Sequence, residues 1–129
     1  MTIQERADIA ANLKATGLCN CCQAVTKVLS DTVDGDEATL QKMSAGFAAG
    51  MGGTEATCGA LIGANMILGL QTNGEGTVRK SRELLSKFKE KCGAVTCKDL
   101  KGIESGKVLC ECENCCRNAV IALGEVTGE

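Results

Sequence analysis

The chain has 129 residues and a net charge of −2, and it is 44% hydrophobic with two Phe and no Trp or Tyr. Neither a basic footprint nor a platform of stacking aromatics is present, which excludes the usual routes to nucleic acid. Ten cysteines and no histidine remove Cys–His nucleophile pairs, histidine-bound zinc water and the usual proximal haem ligand, and leave thiol redox, soft-metal binding or iron–sulfur ligation.

In chain order the periodicity predicts helices throughout, with no proline anywhere and no run that alternates as a strand would. Residues 2–16 begin with Thr2 and place Glu5 three later, a capping-box pattern. Ile3, Ala7, Ala10 and Leu13 form the apolar stripe, and Gly17 ends it. Glu5 and Asp8, with no apolar stretch before a cleavage site, make this segment unlike a signal peptide. A second helix spans 20–30, with Ala24, Val25, Val28 and Leu29 at helical spacing. Asp36 is expected to cap a third helix running to residue 49.

The sequence GMGGT at 50–54 reads as a glycine loop, and residues 55–71 as a fourth helix, apolar nearly all round and therefore buried. After a second loop, residues 77–91 read as an amphipathic helix. Val78, Leu84, Leu85 and Phe88 are expected to face inward, and the basic residues to be solvated. Thr96 followed by Asp99 marks a short helix, residues 102–110 are irregular, and a last helix covers about 112–127. The expectation is one all-α domain over 1–129, a compact bundle of about six helices around a buried Gly/Ala-rich central helix.

The longest apolar run, residues 58–70, contains Asn65 and falls short of the roughly 20 residues that span a bilayer. A soluble, cytoplasmic protein is expected, with no membrane partner. In that reducing compartment so many cysteines point to metal binding or catalysis before structural disulfides.

The cysteines are grouped. Cys19, Cys21 and Cys22 open the second helix, and Cys110, Cys112, Cys115 and Cys116 open the last one. At a helix start, backbone amides and the positive dipole end favour thiolates. Cys19 with Cys22 and Cys112 with Cys115 have the spacing of metal-chelating pairs, and the two pairs could meet as a four-thiolate site. Zinc and iron–sulfur both accept that donor set, and spacing does not choose between them. Adjacent cysteines point different ways on a helix, so Cys22 and Cys116 could equally be small core hydrophobes, as could Cys92. Gly59 and Gly63 share a face and read either as close helix packing or as room for a cofactor or thiol to approach Cys58. Glu55, Glu111 and Glu113 are the carboxylates nearest the cysteines, and charges at helix starts account for them.

These residues resemble a family. NCCQAV at 20–25, SAGFAAGMGGTEATCGALIGANMILGL at 44–70, TCKDL at 96–100 and CENCCRNAV at 112–120 are similar, in order, to the redox-active proteins named for their C-GCAxxG-C-C cysteine pattern. The central segment reads Cys58-Gly59-Ala60-Leu61-Ile62-Gly63, close to the name-giving motif without copying it. Carried over position by position, the resemblance implies Cys21, Cys58, Cys97 and Cys112 as the cofactor-binding set, with Cys115 and Cys116 as alternatives to the last. Cys19, Cys22, Cys92, Cys110, Cys115 and Cys116 are surplus to the pattern. The resemblance also implies an all-helical fold, a redox role and an iron–sulfur centre.

The first expectation is therefore an iron–sulfur or related metallocluster protein for electron transfer or redox chemistry. Cys21, Cys58, Cys97 and Cys112 would ligate the cluster, and Cys19, Cys22, Cys110, Cys115 and Cys116 would extend the metal site. A metal-free thiol–disulfide relay centred on Cys58 is the alternative, and a zinc or soft-metal binding module is a further one. A redox partner protein is expected, and an exposed Gly/Ala face could pair two copies as a homodimer.

Overall fold

The computed structural model describes residues 1–128. Its helices start where side chains take up amides that a first turn leaves without partners. Helix α1 (Ile3–Ala15) opens with the expected capping box between Thr2 and Glu5. Helix α2 (Cys21–Leu29) uses the same device, because Gln23 N–H donates to Asn20 Oδ1 at 2.9 Å and Asn20 N–H donates to Gln23 Oε1 at 3.2 Å. Asp36 caps α3 (Glu37–Ser44), accepting from Thr39 N–H at 3.0 Å. Helices α4 (Gly59–Gln71), α5 (Thr77–Cys92), α6 (Cys97–Lys101) and α7 (Cys112–Thr127) complete the order. The described residues contain no strand, only one isolated bridge between Thr57 and Thr96. None of these helices is long and apolar enough to cross a membrane.

The core is aliphatic, as the shortage of aromatics requires. Leu29, Ile67, Leu68, Leu84, Leu123, Val25 and Val120 are sealed from solvent around Phe88. Two helix pairs set its geometry. Gly124 of α7 receives Ile3, whose Cγ1 lies 2.5 Å from where a Cβ would stand. Arg117 donates to Asp8 at 3.0 Å, so α1 and α7 run antiparallel. On α4, Gly59 faces Cys21 while Gly63 faces Cys22 and Val25. Helices α2 and α4 therefore run in the same direction, with both N-termini at one end of the molecule. A Cβ on Gly59 would sit 2.7 Å from Cys21 Sγ and from Phe47 O, and one on Gly63 would sit 2.8 Å from Cys22 O. The Gly/Ala stripe is thus an internal packing face that brings a thiol close.

Two expected helices are shorter than their periodicity suggests. The third stops at Ser44, passes through a 3-10 turn at Ala45–Phe47, extends at Ala48 and turns left-handed at Ala49, where φ is +53°. The fourth begins at Gly59 instead of residue 55, because the preceding backbone bonds elsewhere. Cys58 N–H donates to Val95 O at 2.8 Å and Cys97 N–H donates to Ala56 O at 3.0 Å. Those bonds fasten the starts of α4 and α6 together. On α5, Leu84 and Phe88 are buried as expected, but Val78 is 77% exposed and Leu85 44%. Val78 stands six residues before Leu84, about 240° around the helix at 100° per residue.

Candidate metal centre

Four helix starts converge at one end of the bundle, and each carries a cysteine. Cys21, Cys97 and Cys112 are the first residues of α2, α6 and α7, and Cys58 is the N-cap of α4. All four line one cavity of about 80 Å³, and Cys110 and Cys115 line it too. Lys14 and Lys101 form part of the same wall. Positive dipole ends and two ammonium groups make this a place for negative charge on sulfur.

The segment that runs on from Ala48 and Ala49 in the cavity wall is strained. Ala49, Met51 and Thr54 all have φ between +53° and +63°, a region that costs non-glycine residues energy and a β-branched threonine most of all. The turn places Gly50 where its Cα would carry a Cβ 2.8 Å from Cys97 Cβ, and it aims the Ala49 amide at Cys21. Burial pushes the Cys21 thiol up, and that amide opposes the shift. Burial likewise raises Cys97, against the pull of Lys101. Cys58 moves the other way, to about 7. The neighbouring Cys115 thiol is the main cause, and the amides of Ala60 and Leu61 assist, although neither reaches capping hydrogen-bond geometry.

A second group lies beside the cavity. The Sγ atoms of Cys92, Cys110 and Cys115 are all within 4.8 Å of one another and can hold a metal ion. Among the described residues, no three of Cys21, Cys58, Cys97 and Cys112 approach each other so closely. Asn118 donates its side-chain amide to Cys92 Sγ at 3.4 Å and to Cys110 Sγ at 3.9 Å. Cys110, flanked by the Cys115 and Cys92 thiols, is lowered to about 3. Cys92 is pushed up to about 12, first by its contact with Cys110. Cys115 is pushed up by its contacts with Cys110, Cys58 and Cys92.

The remaining cysteines stand apart. Cys22 and Cys116 have no exposure and do not line the cavity. Cys22 packs at Gly63 with its thiol raised to about 12 by burial, and Cys116 donates to Cys21 O at 3.7 Å. Cys19, half-buried before α2, packs on the edge of the core. The structure therefore brings Cys112 and Cys115 to the centre but leaves Cys19 and Cys22 out of it. A helix start explains this, since Cys21 and Cys22 are about 100° apart around α2 and only one can face the cavity. Glu55, Glu111 and Glu113 do not line the cavity either, and Glu55 pairs with Lys98 at 3.5 Å.

The sequence marks Cys92 as surplus to the family pattern and as a candidate core thiol, without joining it to Cys110 and Cys115, and it does not single out Asn118. The readable signal was Asn118 itself, three residues after Cys115 and so on the same face of α7. The Ala49 amide had no readable signal, because its aim depends on a left-handed alanine.

A family model described as "Putative redox-active protein (C_GCAxxG_C_C)" matches residues 19–126 of the chain. No curated protein and no solved structure matches it.

Proposed function

The chain belongs to the C_GCAxxG_C_C family of redox-active proteins, and on that premise we propose that it binds an iron–sulfur cluster through Cys21, Cys58, Cys97 and Cys112 and serves electron transfer. One observation carries this reading: four cysteines on four helix starts line a single cavity. The donor set fits the group in three respects. It is all thiol, it is ringed by amides and lysines that favour net negative charge, and its spread is wide. A single tetrahedral ion with bonds of about 2.3 Å needs its sulfurs roughly 4 Å apart. Thiols further apart than that suit a polynuclear centre. Such a cluster supplies one-electron transfer when bound.

The chain's own residues would set its properties. The Ala49, Ala60 and Leu61 amides face ligand sulfurs, and hydrogen bonds to sulfur together with nearby positive charge raise a cluster's potential. The opening beside Lys14 and Lys101 is where a redox partner protein would exchange electrons. The test is iron and acid-labile sulfide per chain, with visible absorption and electron paramagnetic resonance, on protein prepared without oxygen. Brown protein whose iron falls when Cys97 is replaced by Ser supports the reading. Colourless, iron-free protein from that preparation rejects it.

The contact of Cys58 with Cys115 favours a second reading, a metal-free relay. The Cys58 thiolate would attack a partner's disulfide and Cys115 would resolve the mixed disulfide, leaving a Cys58–Cys115 disulfide here and two thiols on the partner. That reading requires a reversible loss of two free thiols in iron-free protein.

A further inference from the structure

We infer that Cys92, Cys110 and Cys115 form a second metal site, a three-thiolate pocket for one thiophilic cation of the zinc type, distinct from the four helix-start cysteines. Cys92 and Cys110 match no position of the family pattern, and Cys115 matches one only as the alternative to Cys112, so the site goes beyond the proposed cluster and does not depend on it.

Three observations support the assignment. The first is distance, since three Sγ atoms within 4.8 Å of one another can close to the separation that bonds of about 2.3 Å to one ion require, with only small side-chain rotation. The second is convergence from separate parts of the chain: the last residue of α5, the loop before α7, and the first turn of α7. Cys92 and Cys115 are 4% and 2% exposed, so the pocket is closed on the protein side. Cys110 and Cys115 also border the cavity, which leaves a route for the ion and for a fourth ligand from solvent.

The third is Asn118. Its amide donates to two of the three sulfurs. A buried thiol that only fills space needs no such donor, whereas a ligating thiolate gains charge stabilisation and a fixed orientation from one. The backbone adds to this. Cys92 ends α5, where unpaired carbonyls make the local field negative. That field disfavours a bare thiolate and favours one whose charge is offset by a bound cation.

Cobalt is the probe, because its thiolate complexes absorb by charge transfer and report sulfur ligation directly. Reduced, metal-free full-length protein titrated with Co²⁺ under anaerobic conditions should show one thiolate-bound cobalt per chain, displaced by Zn²⁺. Cys110→Ser, at a half-buried position, should weaken binding by about a hundredfold, at the upper end of what loss of an outer-shell partner costs, because a ligand itself is removed. Cys92→Ser should do the same, and Asn118→Ala should weaken binding about tenfold with the charge-transfer band retained. Cys97→Ser should leave cobalt binding unchanged. The inference is overturned if Cys110→Ser binds cobalt as tightly as the parent, or if Cys97→Ser abolishes the band. Iron content of the same variants separates the two centres: Cys110→Ser keeps the parent's iron. If the parent holds no iron, the cobalt result still decides this site.

Discussion

Cys21, Cys58, Cys97 and Cys112 reach their cavity from the positive ends of helices, whereas Cys92 reaches its corner from the negative end of α5. The first set is spread beyond single-ion spacing; the second, Cys92 with Cys110 and Cys115, is gathered within 4.8 Å. Distance separates the two sets, and field separates Cys92 from the helix-start four, while Cys115 shares the α7 start with Cys112. A wide ring of helix starts suits an extended, net-negative centre, and a tight corner at a helix end suits one compact cation. Donor identity is the same in both, so the backbone that presents the sulfur, and not the sulfur, distinguishes the two regions.

The largest expected break in that comparison comes from Gly59→Ala. Its Cβ would stand 2.7 Å from Cys21 Sγ and from Phe47 O. The Phe47 carbonyl is backbone and cannot give, so α4 must move away from the Ala45–Phe47 turn while the Cys21 side chain is displaced. Overpacking of this kind costs about 2 kcal/mol, and it misplaces two of the four helix-start cysteines together. The thermal midpoint should fall and iron should be lost, while cobalt binding at the Cys92 corner persists. Loss of both would show one shared site where two are drawn.

A smaller effect tests the fields themselves. Cys58 is lowered from 9.0 to about 7 in the folded protein, so folding favours its thiolate. The sign follows by linkage: the stabilisation is complete above about pH 9 and is lost as pH falls through 7. Two pKa units correspond to roughly 3 kcal/mol. Denaturant midpoints of metal-free protein, taken between pH 9 and 6, should therefore drop more steeply for the parent than for Cys58→Ser. Equal slopes would mean that Cys58 gains nothing from its place between Cys115 and the α4 amides.

Much of the bundle was legible because local rules govern it. Thr2 with Glu5 and Asp36 at its helix start act within three residues, and the structure keeps both. The set Cys21, Cys58, Cys97 and Cys112 came from the family resemblance and shares one cavity, but periodicity put Cys58 inside a helix starting at residue 55, where the structure makes it the N-cap. Other features depended on contacts far apart in sequence. Residues 55–58 look helical, yet they pair with 95–97, and nothing local announces a partner some forty residues on. The grouping of Cys92 was hidden for the same reason, since its neighbours Cys110 and Cys115 come from the other side of α6.

The finest distinction lies within the triplet that opens α2, where three cysteines within four positions meet three environments. Cys21 faces the cavity, Cys22 is sealed against Gly63, and Cys19 is half-buried at the edge of the core. Cys22→Ser places a hydroxyl where burial already keeps a thiol neutral. An unpaired polar group in such a place costs about 1–3 kcal/mol, so stability should fall with iron content unchanged. Cys19→Ser should shift stability by less than about 0.5 kcal/mol and leave both iron and cobalt binding intact. Iron lost from Cys19→Ser would mean that the loop before α2 folds inward when the centre is loaded, and that proximity in sequence to Cys21 matters more than the direction a helix start imposes.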